Sequence, residues 1–183
     1  AVVQPLFDRA KKDKAYMEEI RELVDGEVAG AVSRGSLDAV RGFALPLQSR
    51  ALARLLRMPE EEAEVWIRWG VHVFHDRDDG AEKGHLLEAY TGKMFHRAEA
   101  HPGEDFFSVL NQARFRGRPL TFEEKQGFAN VAFAGGRDTI INTVSSIFAY
   151  LGEHPEALPF LREDPARIST AVEERSEEHT SEL

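Results

Sequence analysis

The chain has 183 residues, 42% of them hydrophobic and 30% charged, with 12 Phe, a formal net charge of -9 and a mean hydropathy of -0.40. That suits one core-bearing, soluble domain or a piece of a larger one, and the acidic balance excludes a nucleic-acid backbone as the expected partner, since phosphate binding wants clustered Lys and Arg. There is no Cys, which removes disulfides, thiolate metal sites and thiol nucleophiles and fits a reducing cytoplasm; no apolar run reaches the roughly 18 residues that suggest a membrane span.

The chain opens Ala1-Val2-Val3-Gln4-Pro5, without initiator Met or signal pattern, and reads as if it starts inside a longer protein. The basic run Arg9 to Lys14 reads as a solvated helix face. Strand signals are scarce and helical periodicity dominates, so the fold class is all-α. Asp13 to Val32 is an amphipathic helix, with Tyr16, Ile20, Leu23, Val24 and Val28 on one side and Glu18, Glu22 and Asp25 opposite. Phe43 to Met58 follows, with Leu45, Leu52, Leu55 and Leu56 at core spacing. Pro59 and Glu60 to Glu62 open the next helix, which carries Val65, Trp66, Trp69, Val73 and Phe74. The polar stretch His75 to Gly84 reads as a loop, Leu86 to Ala98 as a helix and Asp105 to Phe115 as a shorter one.

Thr121 and Glu124 form a capping box. Nothing breaks the helix they start until Gly152, so it runs about 30 residues, or roughly 45 Å. Pro155 opens a short helix through Leu161, Asp164-Pro165 closes it, and a last helical pattern begins near Ile168.

The long helix has an ordinary reading as a core helix, with Val131, Phe133, Ile140, Ile141, Val144, Ile147 and Phe148 as its buried face. Its middle resists that reading. From Gly127 to Leu151 the formal charges are Arg137 and Asp138 alone, and Gly135-Gly136 precede them. Each glycine lowers helix stability by about 1 kcal/mol relative to Ala, so close approach by something flat or bulky is expected there. Thr139 lies four residues after Gly135, where its hydroxyl can bond the Gly135 carbonyl and open a local bulge. Asp138 supplies a carboxylate able to relay protons, and Asn142 and Ser146 extend a polar thread.

Gly135-Gly136-Arg137-Asp138-Thr139 resembles the Ala/Gly-Gly-x-Asp/Glu-Thr motif in the oxygen-binding helix of cytochromes P450. His154-Pro155-Glu156-Ala157 is similar to the family's turn after this helix, and Asp164-Pro165 followed by Ala171-Val172-Glu173-Glu174 to its approach to the next. Phe43-Ala44-Leu45-Pro46-Leu47 resembles the soluble bacterial branch. The likeness runs in colinear order from about Gln4 to Glu174. It implies the central helical portion of the P450 fold, with one long central helix. It implies a parent enzyme that binds haem b, takes electrons from a ferredoxin- or flavin-type donor and inserts oxygen into a small organic substrate, in the cytoplasm and without a membrane anchor. Gly135 and Gly136 would then pack over the haem face, Val131, Ala134 and Thr139 would lie nearest haem and substrate, and Asp138 and Thr139 would relay protons.

The family's thiolate Cys has no counterpart here, nor has its Trp-x-x-x-Arg; the Glu-x-x-Arg pair that should begin at Glu174 meets Glu177 instead. The resemblance thus covers an internal portion, 1–174, expected to be inert as it stands. Residues 175–183 (Arg-Ser-Glu-Glu-His-Thr-Ser-Glu-Leu) lack apolar periodicity and are similar to the translation of a sequencing adapter, so a non-native tail that does not continue the last helix is expected. A rival reading is a stand-alone helical binding or scaffold protein without haem.

Other constellations read as structural. His72 and His75 with Asp76 are too few ligands for a closed zinc site. Glu82-Lys83-Gly84-His85 has the Glu-x-x-His spacing of di-iron bundles, but occurs once and in a loop. Trp66, Trp69 and Phe74, and the pair Phe106-Phe107, read as core.

Overall fold

The computed structural model describes Gln4, Phe7, Asp8, residues 12–71 and residues 80–181. Helix α1 (Lys14–Arg34) starts where the Asp13 side chain accepts the N–H groups of Ala15 and Tyr16 at 3.0 and 3.3 Å, and stops at Gly35 with φ 69°. Asp38 then caps a π-helical turn (Val40–Ala44), in which the Ala44 N–H donates to the Ala39 carbonyl. That turn runs straight into α2 (Leu45–Leu55).

Pro59 precedes α3 (Glu60–Arg68), whose first turn holds the three glutamates at the positive end of the helix dipole. Helix α3 stops short of the expected Phe74, since Gly70 takes φ 81°; Val73, Phe74 and the His72–His75–Asp76 group lie outside the described residues. Helix α4 (Gly80–Ala100) starts six residues earlier than the apolar pattern suggested. Glu82-Lys83-Gly84-His85 therefore sits on the first turns of a helix and not in a loop. Helix α5 (Phe106–Gln112) is capped by Asp105 and is shorter than expected. A hairpin follows, β1 (Arg114–Phe115) paired antiparallel with β2 (Arg118–Pro119), where the sequence suggests helix as far as Phe115. Arg116 and Gly117 turn it with φ 51° and 83°, the left-handed pair that suits tight hairpins.

The long helix α6 (Phe122–Glu153) has 32 residues, about 48 Å of unbroken rise. It starts on the expected capping box: Thr121 Oγ1 accepts the Glu124 N–H at 3.2 Å, and Glu124 accepts the Thr121 N–H at 2.8 Å. Helices α7 (Ala157–Glu163) and α8 (Pro165–Ser181) complete the order. The expected end of helix near Arg175 is not seen. Residues 175–181 contain no Gly or Pro, and Glu, Arg and Ser all tolerate helix, so loss of apolar periodicity alone does not stop it.

The main core lies where α2, α3, α4, α5 and the first half of α6 meet, around Leu52, Leu56, Trp66, Phe95, Phe106, Phe107 and Phe133. Trp66 meets Phe133 edge-on, with ring centroids 5.0 Å apart, and Trp69 meets Tyr90 likewise at 5.1 Å. A second cluster (Ala44, Leu45, Ile141) joins the π-helical turn to the middle of α6. Only part of the expected apolar face of α6 is core: Phe133 and Ile141 are fully buried, whereas Val131, Ile140 and Phe148 are exposed.

Arg118 pairs with Glu124 at 2.7 Å and, with the Thr121 N–H, holds the Glu124 carboxyl down at about 2, against an ordinary 4.5. A carboxyl lowered on folding adds stability above its unfolded value and loses it as pH falls through the folded one. Stability should therefore fall from about pH 4.5 to about pH 2, and Glu124→Gln should flatten that part of the profile in urea titrations across pH.

Candidate active site

The motif residues occupy about one and a half turns in the middle of α6; Gly136 and Arg137 face neighbouring helices, whereas Gly135 and Thr139 are exposed. Gly136 points at α2. A Cβ there would stand 3.1 Å from Leu52 Cδ1, and the Gly136 carbonyl accepts a hydrogen bond from the Gln48 amide at 2.6 Å. The bare Cα at Gly136 thus has its own explanation in helix packing, and the close approach expected over a haem is met here by α2.

Arg137 is the buried charge of the motif. It has no solvent exposure and reaches the C-terminal end of α3, donating to the Trp66 carbonyl at 3.1 Å and to the Gly70 carbonyl at 2.6 Å. Its guanidinium carbon lies 5.9 Å from the Trp69 ring centroid. Burial lowers its pKa to about 10, with Asp138 pulling the other way, so it stays charged near neutrality. Carbonyls at a helix C-terminus are the negative end of the dipole and suit a cation. Arg137 fills the unspecified position of the motif, and an Arg flanked by apolar turns is the one sequence signal of this anchor.

Asp138 is half-buried and Thr139 exposed. The expected bulge is not seen: α6 is α-helical throughout, and among the described residues the Thr139 hydroxyl makes no hydrogen bond to Gly135. An exposed hydroxyl has solvent to bond, which leaves the ladder intact.

Val131, Gly135 and Thr139, four residues apart, line one stripe, with Ala134 partly covered at its edge. Val131 is 72% exposed, and nothing lies within 4 Å of where a Gly135 Cβ would stand. Beside them Ile140 is 47% exposed. This is an apolar wall with a flat notch, flanked by an acid and an alcohol. Two apolar clefts lie elsewhere, one of about 420 Å³ including Val28, Val32, Phe43 and Phe148, the other of about 330 Å³ where α6, α7 and α8 meet. Neither contains a motif residue. Among the described residues no cluster of three or more His, Asp or Glu could hold a metal ion, and no helix is long and apolar enough to cross a membrane.

The middle turn of an unbroken helix thus exposes a glycine notch beside an acid–alcohol pair. No protein-family model matches the chain. The biotin biosynthesis cytochrome P450 of Bacillus subtilis (strain 168) is 30% identical over 170 residues, spanning 88% of this chain and 43% of that relative. A solved carbohydrate active P450 is 43% identical with a TM-score of 0.85, covering 96% of this chain and 44% of its own. P450BioI in complex with hexadec-9Z-enoic acid ligated acyl carrier protein is 27% identical with a TM-score of 0.74, over 88% and 44%. The chain belongs to the cytochrome P450 superfamily, in its bacterial type. It spans less than half the length of these relatives.

The two glycines should respond oppositely to substitution. Gly135→Ala fills open space on a helix and should raise stability by about 0.4–1 kcal/mol, whereas Gly136→Ala must displace buried Leu52 and should lower it. Urea unfolding of both variants checks this. Arg137→Met strips two carbonyls of a charged donor and should cost about 1–3 kcal/mol in the same assay.

Proposed function

We propose that this chain forms the distal wall of the haem pocket in a cytoplasmic monooxygenase that inserts one oxygen atom into a small organic molecule. The observation that carries the reading is the open stripe of Val131, Gly135 and Thr139 beside Asp138. A flat apolar group such as haem b fits there, because Gly135 offers no Cβ and Val131 offers unpartnered apolar surface. Bound haem supplies the redox chemistry that activates dioxygen, with electrons from a ferredoxin or flavin reductase. This chain has no Cys and supplies no thiolate to it.

Val131 and Ala134 exclude water from the pocket face, and Gly135 sets how closely the wall approaches. Gly136 is assigned to α2 contact and not to the haem. The second oxygen atom leaves as water, which takes two protons. The Thr139 hydroxyl can hand a proton across the pocket face, and the Asp138 carboxylate, next to it and half-buried, can reload it from solvent. The 43% identity to a carbohydrate active P450 makes sugars the first small molecules to screen.

In a haem-loaded protein containing this chain, Asp138→Asn should lower product formation about 10²-fold, within the usual range for proton-transfer groups. Thr139→Ala should keep oxygen consumption and divert it to peroxide. Undiminished product in both variants would sink the assignment. The 183-residue chain alone should give no CO-difference band of thiolate-bound haem; a sharp thermal melt indifferent to added haem would favour a stand-alone helical binding protein.

A further inference from the structure

Gln48 sits on α2, 1% exposed, and donates its amide to the Gly136 carbonyl at 2.6 Å. The orientation is fixed chemically: a carbonyl only accepts, so the NH2 end faces Gly136. Ser49 Oγ, fully buried, donates to the other end, Gln48 Oε1, at 3.3 Å. In a continuous α-helix the same Gly136 carbonyl is the acceptor for the Ile140 N–H. A side chain inserted into the ladder in this way is a recognised cause of local bending. It also removes the penalty for opening the turn, since a buried carbonyl that loses its ladder partner still keeps a donor.

We propose that Gln48 is a positioning residue that holds the Gly136 carbonyl from outside, so that the Gly136–Ile140 turn can open towards the face carrying Thr139. Two features support the assignment. Gly136 has no Cβ and so lets α2 come close enough for a side-chain amide to reach the backbone. And Gly136–Ile140 brackets Arg137, Asp138 and Thr139, so opening this one bond acts on the turn that carries the proton-handling pair, with Arg137 anchored to the end of α3. The catalytic consequence rests on the function proposed above; the effect on the turn does not.

Gln48→Met conserves volume, removes the donor and leaves Gly136 with its ladder partner. Amide hydrogen exchange at Ile140, read by NMR in the 183-residue chain, should slow about fivefold, the worth of one typical net hydrogen bond. Val144 and Ile147 should be unchanged. A purely structural Gln48 predicts the opposite sign, with faster exchange at Ile140 and along the helix. Gln48→Leu serves as a second variant with the same expected sign. Unchanged or faster exchange overturns the proposal, and so does an unprotected Ile140 amide in the unaltered chain, because the geometry would then not exist. In the haem-loaded protein, Gln48→Met should slow product formation and raise its solvent deuterium isotope effect. Unaltered turnover there, with Thr139→Ala impaired, overturns the catalytic part alone. Unaltered turnover in Thr139→Ala as well counts against the proposed function and leaves the exchange result standing.

Discussion

An α-helix turns about 100° per residue, and that rotation governs how the middle of α6 is built. Gly135, Gly136 and Arg137 are consecutive, so they cannot share a neighbour. The first faces an open stripe, the second meets Leu52 and Gln48 of α2, and the third reaches the end of α3. With two of these directions taken by packing, the third is fixed as well. The stripe of Val131, Gly135 and Thr139 is held outward because its flanks are held inward.

Arg137 is the costlier of the two anchors. A guanidinium without solvent needs acceptors, and here they are carbonyls at the C-terminal end of α3, the negative end of the helix dipole. Arg137 adds a second donor to the Trp66 carbonyl, which already accepts the Trp69 N–H at 3.2 Å, and reaches the Gly70 carbonyl beyond the helix end. The planar fork of Arg reaches two carbonyls four residues apart, which a single ammonium point charge does less well. The end of α3, with Trp66 and Trp69 at its close, is thereby tied to the residue before Asp138.

What the sequence made legible was local. The Thr121–Glu124 box, the unbroken α6 and the oddity of paired glycines all follow from spacing within one element. The apolar periodicity misplaces the start of α4, because residues 80–85 (Gly-Ala-Glu-Lys-Gly-His) carry no apolar repeat to count and hold two glycines. The two glycines look alike in the sequence, although their separation of about 100° turns them to different faces of the helix. Gln48 and Arg137 were out of reach for a different reason: their partners lie 88, 71 and 67 residues away, and no spacing rule spans that.

The difference between the glycines also separates a structural explanation from a functional one. Gly136 is needed for α2 to pack, and its cost to the helix is offset within this chain. Gly135 has no such offset. It costs about 1 kcal/mol relative to Ala, and Val131 one turn away leaves apolar surface exposed whose full burial is worth about 1.5–3 kcal/mol. Both deficits lie on one face, and a single flat apolar group laid across it would correct both. The stripe thus gains more from being covered than a polar helix face would, and that difference supports the proposed binding wall over a solvated face.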